Sequence, residues 1–343
     1  MKPVKIFCTP GSEDIAERVF NELKSRLPDS IHPHALGKVE FTRFSNENIE
    51  VQILENVRGT FSVIIHTQVS PVAQHTVDLF ALVDAISNSG AADRLLVFPY
   101  LPYSRSDRKN KPRISTMGQL FPEILWEVLN VRRFLLVDPH DGHLKHYFKP
   151  VADEVTSLFI FAKWIEEDFF LRHKREECVI VFADQGAAKN FKELAYLLKL
   201  PSAYIDKDRP DNLESVKVKK IIGNTEGKIC IMIDDEILTG GTAINDALLL
   251  REEGKAKKVI MCAVHPILMC KKKSVEEIMR SIDSSPIEEL VVTNSVPLFD
   301  KAKLSKKLKV VSIEALLAES ISRIILDKSL SDLHEYKNIK FYT

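Results

Sequence analysis

The sequence predicts an α/β protein built from two mainly parallel sheets, each flanked by helices. Three observations predict it. Short apolar runs rich in β-branched residues alternate with amphipathic stretches through most of the chain. The alternation runs twice, broken around Pro150 and the polar pair Asp153-Glu154. The length, 343 residues, suits two domains of ordinary size, each with its own core.

The first half gives strands near Val4 to Cys8, Lys38 to Phe44, Ile49 to Leu54, Ser62 to Thr67, Leu95 to Pro99 and Phe134 to Asp138, with helices between several of them. A helix from about Val72 to Ser87 carries Val77, Phe80, Ala81, Leu82 and Ile86 on or near one face, as a helix packed on a sheet should. The boundary falls between Tyr147 and Ser157, so the first domain is residues 1–152. Strands near Val179 to Ala183, Ala203 to Asp206, Ile229 to Ile233, Val259 to Val264 and Leu290 to Thr293 make the second, residues 153–309. Val310 to Leu326 reads as a strand entering a helix, and residues 310–343 are expected to return to the first domain.

Lysine plus arginine and aspartate plus glutamate each number 48, so no overall field favours nucleic acid or an anionic membrane. The basic stretch Lys301 to Lys309 lacks interleaved aromatics and reads as a solvated face. Small molecules and other copies of the chain are the expected partners. Cys8, Cys178, Cys230, Cys262 and Cys270 are odd in number and without zinc-like spacing, which predicts free thiols in a reducing compartment. The N-terminus turns polar at once and no apolar segment is long enough to span a bilayer, so a cytoplasmic location is expected.

Chemistry concentrates in Ile231-Met-Ile-Asp-Asp-Glu-Ile-Leu-Thr-Gly-Gly-Thr242, which reads as a strand, an acidic tip and a small-residue loop before a helix at Ala243 to Glu253. Gly240 and Gly241 let the backbone approach a ligand, Thr239 and Thr242 offer hydroxyls, and helix-start amides attract phosphate. Asp234 and Asp235 would repel a bare polyphosphate. They suit sugar hydroxyls, directly or through Mg2+. No Lys followed by Ser or Thr comes after Gly241, which excludes the nucleoside triphosphate loop. The expected ligand is a sugar phosphate; an ordinary strand-to-helix turn is the bland reading.

In such sheets ligands gather at the carboxyl ends of strands where topology reverses. Val137-Asp-Pro-His-Asp-Gly-His143, Phe182-Ala-Asp-Gln-Gly-Ala187 and Ile205-Asp-Lys-Asp-Arg-Pro210 each follow a strand. His140 with Asp184 would hold a divalent ion, while His143 and His146 read as surface groups. Lys207 and Arg209 alternate around Asp208, so both charges can point at a polyphosphate. Arg105, Arg108 and Lys109 bind phosphate or solvate a loop. Phe44-Ser-Asn-Glu-Asn48 sets a ring beside amides, a mixture suited to adenine.

Together these pieces resemble the ribose-phosphate pyrophosphokinase family, also called phosphoribosyl pyrophosphate synthetases. Their order matches along nearly the whole chain: Phe41-Thr-Arg-Phe-Ser45, Glu55-Asn-Val-Arg-Gly59, Asp107-Arg-Lys109, the His140 and Asp184 loops, Asp206-Lys207 with Arg209-Pro210, the acidic motif, and Glu289-Leu-Val-Val-Thr-Asn-Ser295. The resemblance implies two phosphoribosyltransferase-like domains in homodimers or homohexamers, alone or with a paralogous synthetase. It implies transfer of the β,γ-diphosphoryl group of ATP to the anomeric hydroxyl of ribose 5-phosphate. Lys207 would be catalytic with Arg209 assisting, and Arg209, Asp234, Asp235 and the segment Leu238, Thr239, Gly240, Gly241 and Thr242 would bind ribose 5-phosphate. ATP would meet Phe44, Asn46 and Asn48 at adenine, from a neighbouring subunit, and Arg105, Ser106 and Asp107 at its phosphates. Mg2+ would sit at His140 and Asp184.

The chain departs from the family pattern at several of these positions. Leu238 replaces a usual aspartate, Asn48 a glutamate and Ser106 a glutamine, and Gln185 and Ala187 alter the Asp184 loop. These departures motivate an alternative, a weak or inactive synthetase-like regulatory subunit. A phosphoribosyltransferase is a further alternative, against which the doubled domain and the Lys207 and Arg209 pair speak.

Overall fold

The structure, a computed structural model, describes residues 2–33, 35–207, 219–269, 272–298 and 303–335. The chain divides into two compact units: Met1–Thr156 with Ser295–Pro297 and Ile313–Thr343, and Ser157–Asn294 with Leu298–Ser312.

The first unit runs β1 (Val4–Cys8), α1 (Glu13–Leu23), β2 (Val39–Arg43), β3 (Ile49–Ile53), β4 (Phe61–Ile65), α2 (Val72–Asn88), β5 (Asp93–Phe98), α3 (Met117–Glu123), β6 (Arg133–Val137) and β7 (Asp153–Val155). Five of these strands form a parallel sheet in the order β1-β4-β5-β6-β7. Its central strands are apolar on both faces because both are covered; Val63, Ile64, Leu95 and Leu96 are wholly buried.

The other two strands depart from the expected parallel pattern. β2 and β3 pair antiparallel as a separate hairpin. Only one hairpin face is apolar, and Val39, Phe41, Val51 and Ile53 lay it against the core that includes Leu79, Leu82 and Val83 of α2. The buried face of α2 is the expected one at Leu82 and Ile86, with Phe80 packed against the core, but it is rotated away from Val77. Thr76, Asp78, Leu79, Leu82, Val83 and Ile86 point inward, while Val77 is 50% exposed. Asp78 is tolerated inside because Arg43 pairs with it, so the inner face begins on a polar residue that periodicity assigns to solvent.

The second unit begins with α4 (Leu158–Trp164), which continues through a π-helical turn at Ile165–Phe169 into α5 (Phe170–Arg172). Then follow β8 (Cys178–Phe182), α6 (Gln185–Leu197), β9 (Ser202–Lys207), β10 (Lys219–Ile222), β11 (Ile229–Ile237), α7 (Gly241–Glu252), β12 (Lys258–Pro266), α8 (Val275–Asp283), β13 (Ile287–Thr293) and β14 (Leu308–Val311). These seven strands form one sheet in the order β10-β9-β8-β11-β12-β13-β14, parallel except at the β9 and β10 pair. The last helix, α9 (Glu314–Ile325), belongs to the first unit and packs on α1, where Arg26 meets Glu319 at 3.6 Å.

β11 outruns its expected end at Ile233. β12 is equally long and keeps supplying hydrogen-bond partners, pairing Asp234 with Ala263 and Glu236 with His265. Asp234 and Asp235 therefore stand on a strand, not on a loop tip. Cys178, Cys230 and Cys262 are buried free thiols and Cys8 is a half-buried one; Cys270 lies outside the described residues. Among the described residues no helix is long and apolar enough to cross a membrane.

Candidate active site

The second sheet reverses its order between β8 and β11. From β8 the chain steps to β9 on one side, and β11 returns on the other. The carboxyl ends at such a reversal form a crevice where ligands bind in open α/β sheets. Here they carry carboxylates: Asp184 two residues past β8, and Asp234 and Asp235 on β11, just beyond the point where Ile233 pairs with Phe182.

These three acids act on one another. Burial, then the charge of Asp235, and more weakly that of Asp184, push the Asp234 carboxyl up to about 8. The Asp235 amide donates to Asp234 Oδ1 at 3.0 Å, and Asp184 caps α6 by accepting from the Ala187 amide at 2.9 Å. Such a grouping is relieved by ligands that bring positive charge or hydroxyl protons, and its all-oxygen donors fit a hard divalent cation such as Mg2+.

Leu238-Thr239-Gly240 turn the chain from β11 into α7. Gly240 has φ +73°, which favours glycine, and a Cβ there would lie a tight 3.2 Å from Ile282 Cγ1. Thr239 Oγ1 accepts from the Gly241 amide at 3.4 Å, and Gly241 and Thr242 are exposed at the helix start. The first turn of α7 has no acidic residue, whereas α1 opens on Glu13 and Asp14. Of these two strand-to-helix turns, only the second leaves the helix dipole available to an anion. Leu238 is half-buried and brings no polar atom to the turn beyond its backbone. Lys207 closes β9, the strand beside β8, and Arg209 lies outside the described residues.

In the first unit a cleft of about 420 Å³ opens at the carboxyl ends of β4 and β5, walled by Gln68, Val72, Tyr100, Tyr103, Arg105 and Ser106 among others. Its basic segment is held from behind by α3. The Gly118 amide donates to the Ser106 carbonyl at 2.8 Å, and a Cβ on Gly118 would lie 3.0 Å from that oxygen. Asp107 meets Arg108 Nε at 3.2 Å and His143 Nε2 at 3.3 Å. His143 Nδ1 lies 2.8 Å from Asp141, which also pairs with Arg108. His140 is half-buried in the same turn after β6. Phe44, Asn46 and Asn48 occupy the exposed tip of the β2 and β3 hairpin and are not among the cleft walls; Phe44 is 48% exposed.

The chain matches two family models in succession: the N-terminal domain of ribose phosphate pyrophosphokinase over residues 4–128, and the phosphoribosyl synthetase-associated domain over residues 194–335. It is 34% identical to ribose-phosphate pyrophosphokinase 1 of Listeria monocytogenes over 332 residues, 97% of each chain. The chain belongs to the ribose-phosphate pyrophosphokinase family. A Staphylococcus aureus ribose-phosphate pyrophosphokinase is 33% identical over the same span. The crystal structure of phosphoribosylpyrophosphate synthetase from Mycobacterium smegmatis superposes with a TM-score of 0.83 at 27% identity, covering 95% of this chain and all of that one.

Within this pyrophosphokinase chain, the structure groups the expected residues by unit. Asp184, Asp234, Asp235 and the Leu238 to Thr242 turn share the second sheet's reversal, Arg105 and Ser106 share the first unit's cleft, and the hairpin trio stands apart from that cleft. His143 corrects its reading as a surface group, since it bridges two carboxylates; His146 is exposed as expected. Arg108 pairs with Asp107 and Asp141 while staying exposed and lining the first unit's cleft. A sequence signal for this cluster exists only in part: Asp141 and His143 share one turn, but Asp107 lies more than thirty residues away.

Proposed function

We propose that the protein is a ribose-phosphate diphosphokinase, passing the β,γ-diphosphoryl group of ATP to the anomeric oxygen of ribose 5-phosphate to give phosphoribosyl pyrophosphate and AMP. One observation carries the reading within a chain of this family. An anion-accepting helix start free of acids lies directly after a strand bearing two carboxylates, beside a third, so phosphate and sugar hydroxyls of one ligand find complementary groups.

In this reading residues 153–309 form the ribose 5-phosphate side, with the α7 amides, Thr239 and Thr242 on the 5-phosphate and Asp234 and Asp235 on the ring hydroxyls. Residues 1–152 form the ATP side: Arg105, Ser106 and Asp107 at the phosphates, and Phe44, Asn46 and Asn48 at adenine, supplied by a neighbouring copy in a homodimer or homohexamer. The anomeric oxygen attacks the β-phosphorus as the bond to the α-phosphate bridging oxygen breaks, so AMP leaves. Lys207 and Arg209 neutralise charge spreading onto the transferring oxygens, the main task in phosphoryl transfer. Asp184 and His140 would each serve as a ligand for Mg2+, which would supply further neutralisation. A cytoplasmic enzyme of nucleotide biosynthesis follows.

The test is direct. Purified protein with ATP, ribose 5-phosphate, Mg2+ and inorganic phosphate should form AMP and phosphoribosyl pyrophosphate in equal amounts, both lost without the sugar. Absence of turnover, with an active synthetase co-purifying, would instead make it a regulatory subunit. Pyrophosphate release from phosphoribosyl pyrophosphate that requires a free base would make it a phosphoribosyltransferase.

A further inference from the structure

Arg43 ends β2 and immediately precedes Phe44. Val39, Phe41 and Arg43 alternate onto one face of the strand; the first two pack on the core, and the third reaches α2. Its Nη2 lies 2.6 and 2.7 Å from the two oxygens of Asp78, whose side chain is 1% exposed. The amide group of Gln74, one turn earlier on the same face of α2, lies 2.5 Å from Arg43 Nε and 2.7 Å from its Nη2, and with its oxygen turned toward the guanidinium it accepts from both. Beyond Arg43 residues 44–48 are all exposed, and local hydrogen bonds shape the tip: the Phe44 amide to the Asn48 carbonyl, the Glu47 amide to the Phe44 carbonyl, and the Asn48 amide to Asn46 Oδ1.

We infer that Arg43 is a positioning residue for the nucleotide: through Asp78 and Gln74 it fixes the direction in which the hairpin presents Phe44, Asn46 and Asn48. The inference rests on the proposal that these three meet adenine. A planar guanidinium gripped by a carboxylate and an amide sets an orientation, where an apolar contact would set only a distance. The carboxylate's burial makes the grip strong, because Asp78 without its partner would be an uncompensated buried charge. An exposed hairpin tip held by local hydrogen bonds inherits its aim from the anchored residue that precedes it.

Steady-state kinetics on the intact protein test this in Arg43→Gln, Arg43→Lys, Asp78→Asn and Phe44→Ala, with thermal midpoints measured alongside. Arg43→Gln should raise KM for ATP about tenfold, the scale on which small misplacements act, with KM for ribose 5-phosphate unchanged and kcat within about twofold. Asp78→Asn should do the same, and Arg43→Lys should recover part of the loss by keeping the charge. Unchanged KM for ATP in Arg43→Gln, while Phe44→Ala raises it, would overturn the positioning role and leave the adenine site standing. No effect of Phe44→Ala would remove the adenine reading and this inference with it. Equal losses in both KM values and kcat, tracking a lowered midpoint, would reduce Arg43 to a stability residue.

Discussion

Asp234 holds its proton far above the usual 3.8 because it is buried and faces Asp235 and Asp184. In the unfolded chain it ionises near pH 4; in the folded chain it ionises near 8, so between these values the folded state binds more protons. Stability therefore falls as pH rises from about 4 to about 8, and this contribution is constant above that window. Asp234→Asn removes it. In metal-free buffer its thermal midpoint should equal the wild type's near pH 4 and exceed it increasingly toward pH 8, while KM for ribose 5-phosphate rises; a constant offset across that range would contradict the assignment. Lys207 closes the strand beside the reversal, and Lys207→Ala should lower kcat by roughly two orders of magnitude or more, as losing one charge-stabilising donor does. An almost unchanged kcat would move the catalytic cation elsewhere.

The β11 to α7 connection was the most legible element, because its determinants are contiguous. An apolar run, two acids, two glycines and a helical period lie in order, and the structure differs mainly in the strand's length, which β12 decides. Gly240 carries that element's turn. Gly240→Ala should destabilise the protein by about 1–2 kcal/mol, the cost of a left-handed backbone in a residue with a Cβ, with contact against Ile282 added to it. Equilibrium denaturation checks the loss, and an unchanged midpoint would show that the turn relaxes freely. The less legible features share one physical trait: their partners are distant in sequence. Asp78 faces inward because of Arg43, thirty-five residues earlier, and His143 is bound by Asp107. β7 and β10 escape a sequence reading because each is a strand of three or four residues at a sheet edge, half covered and partly charged.

At the scale of the molecule, two parallel sheets were legible from the twice-repeated alternation, and the family from motifs spread over both. The difference in their strand order was not. The first sheet adds its strands in order without a reversal, and its opening helix begins on acids, while the second reverses beside three carboxylates and begins α7 without any. That difference supports the proposal that the sugar phosphate binds the second unit and the nucleotide the first, with two phosphoryl groups transferred together. ATP labelled at its β-phosphorus tests that claim most directly. With ribose 5-phosphate present, the label should leave with the sugar as phosphoribosyl pyrophosphate and the nucleotide should remain as unlabelled AMP; label retained in ADP, or a sugar product without it, would rule out diphosphoryl transfer.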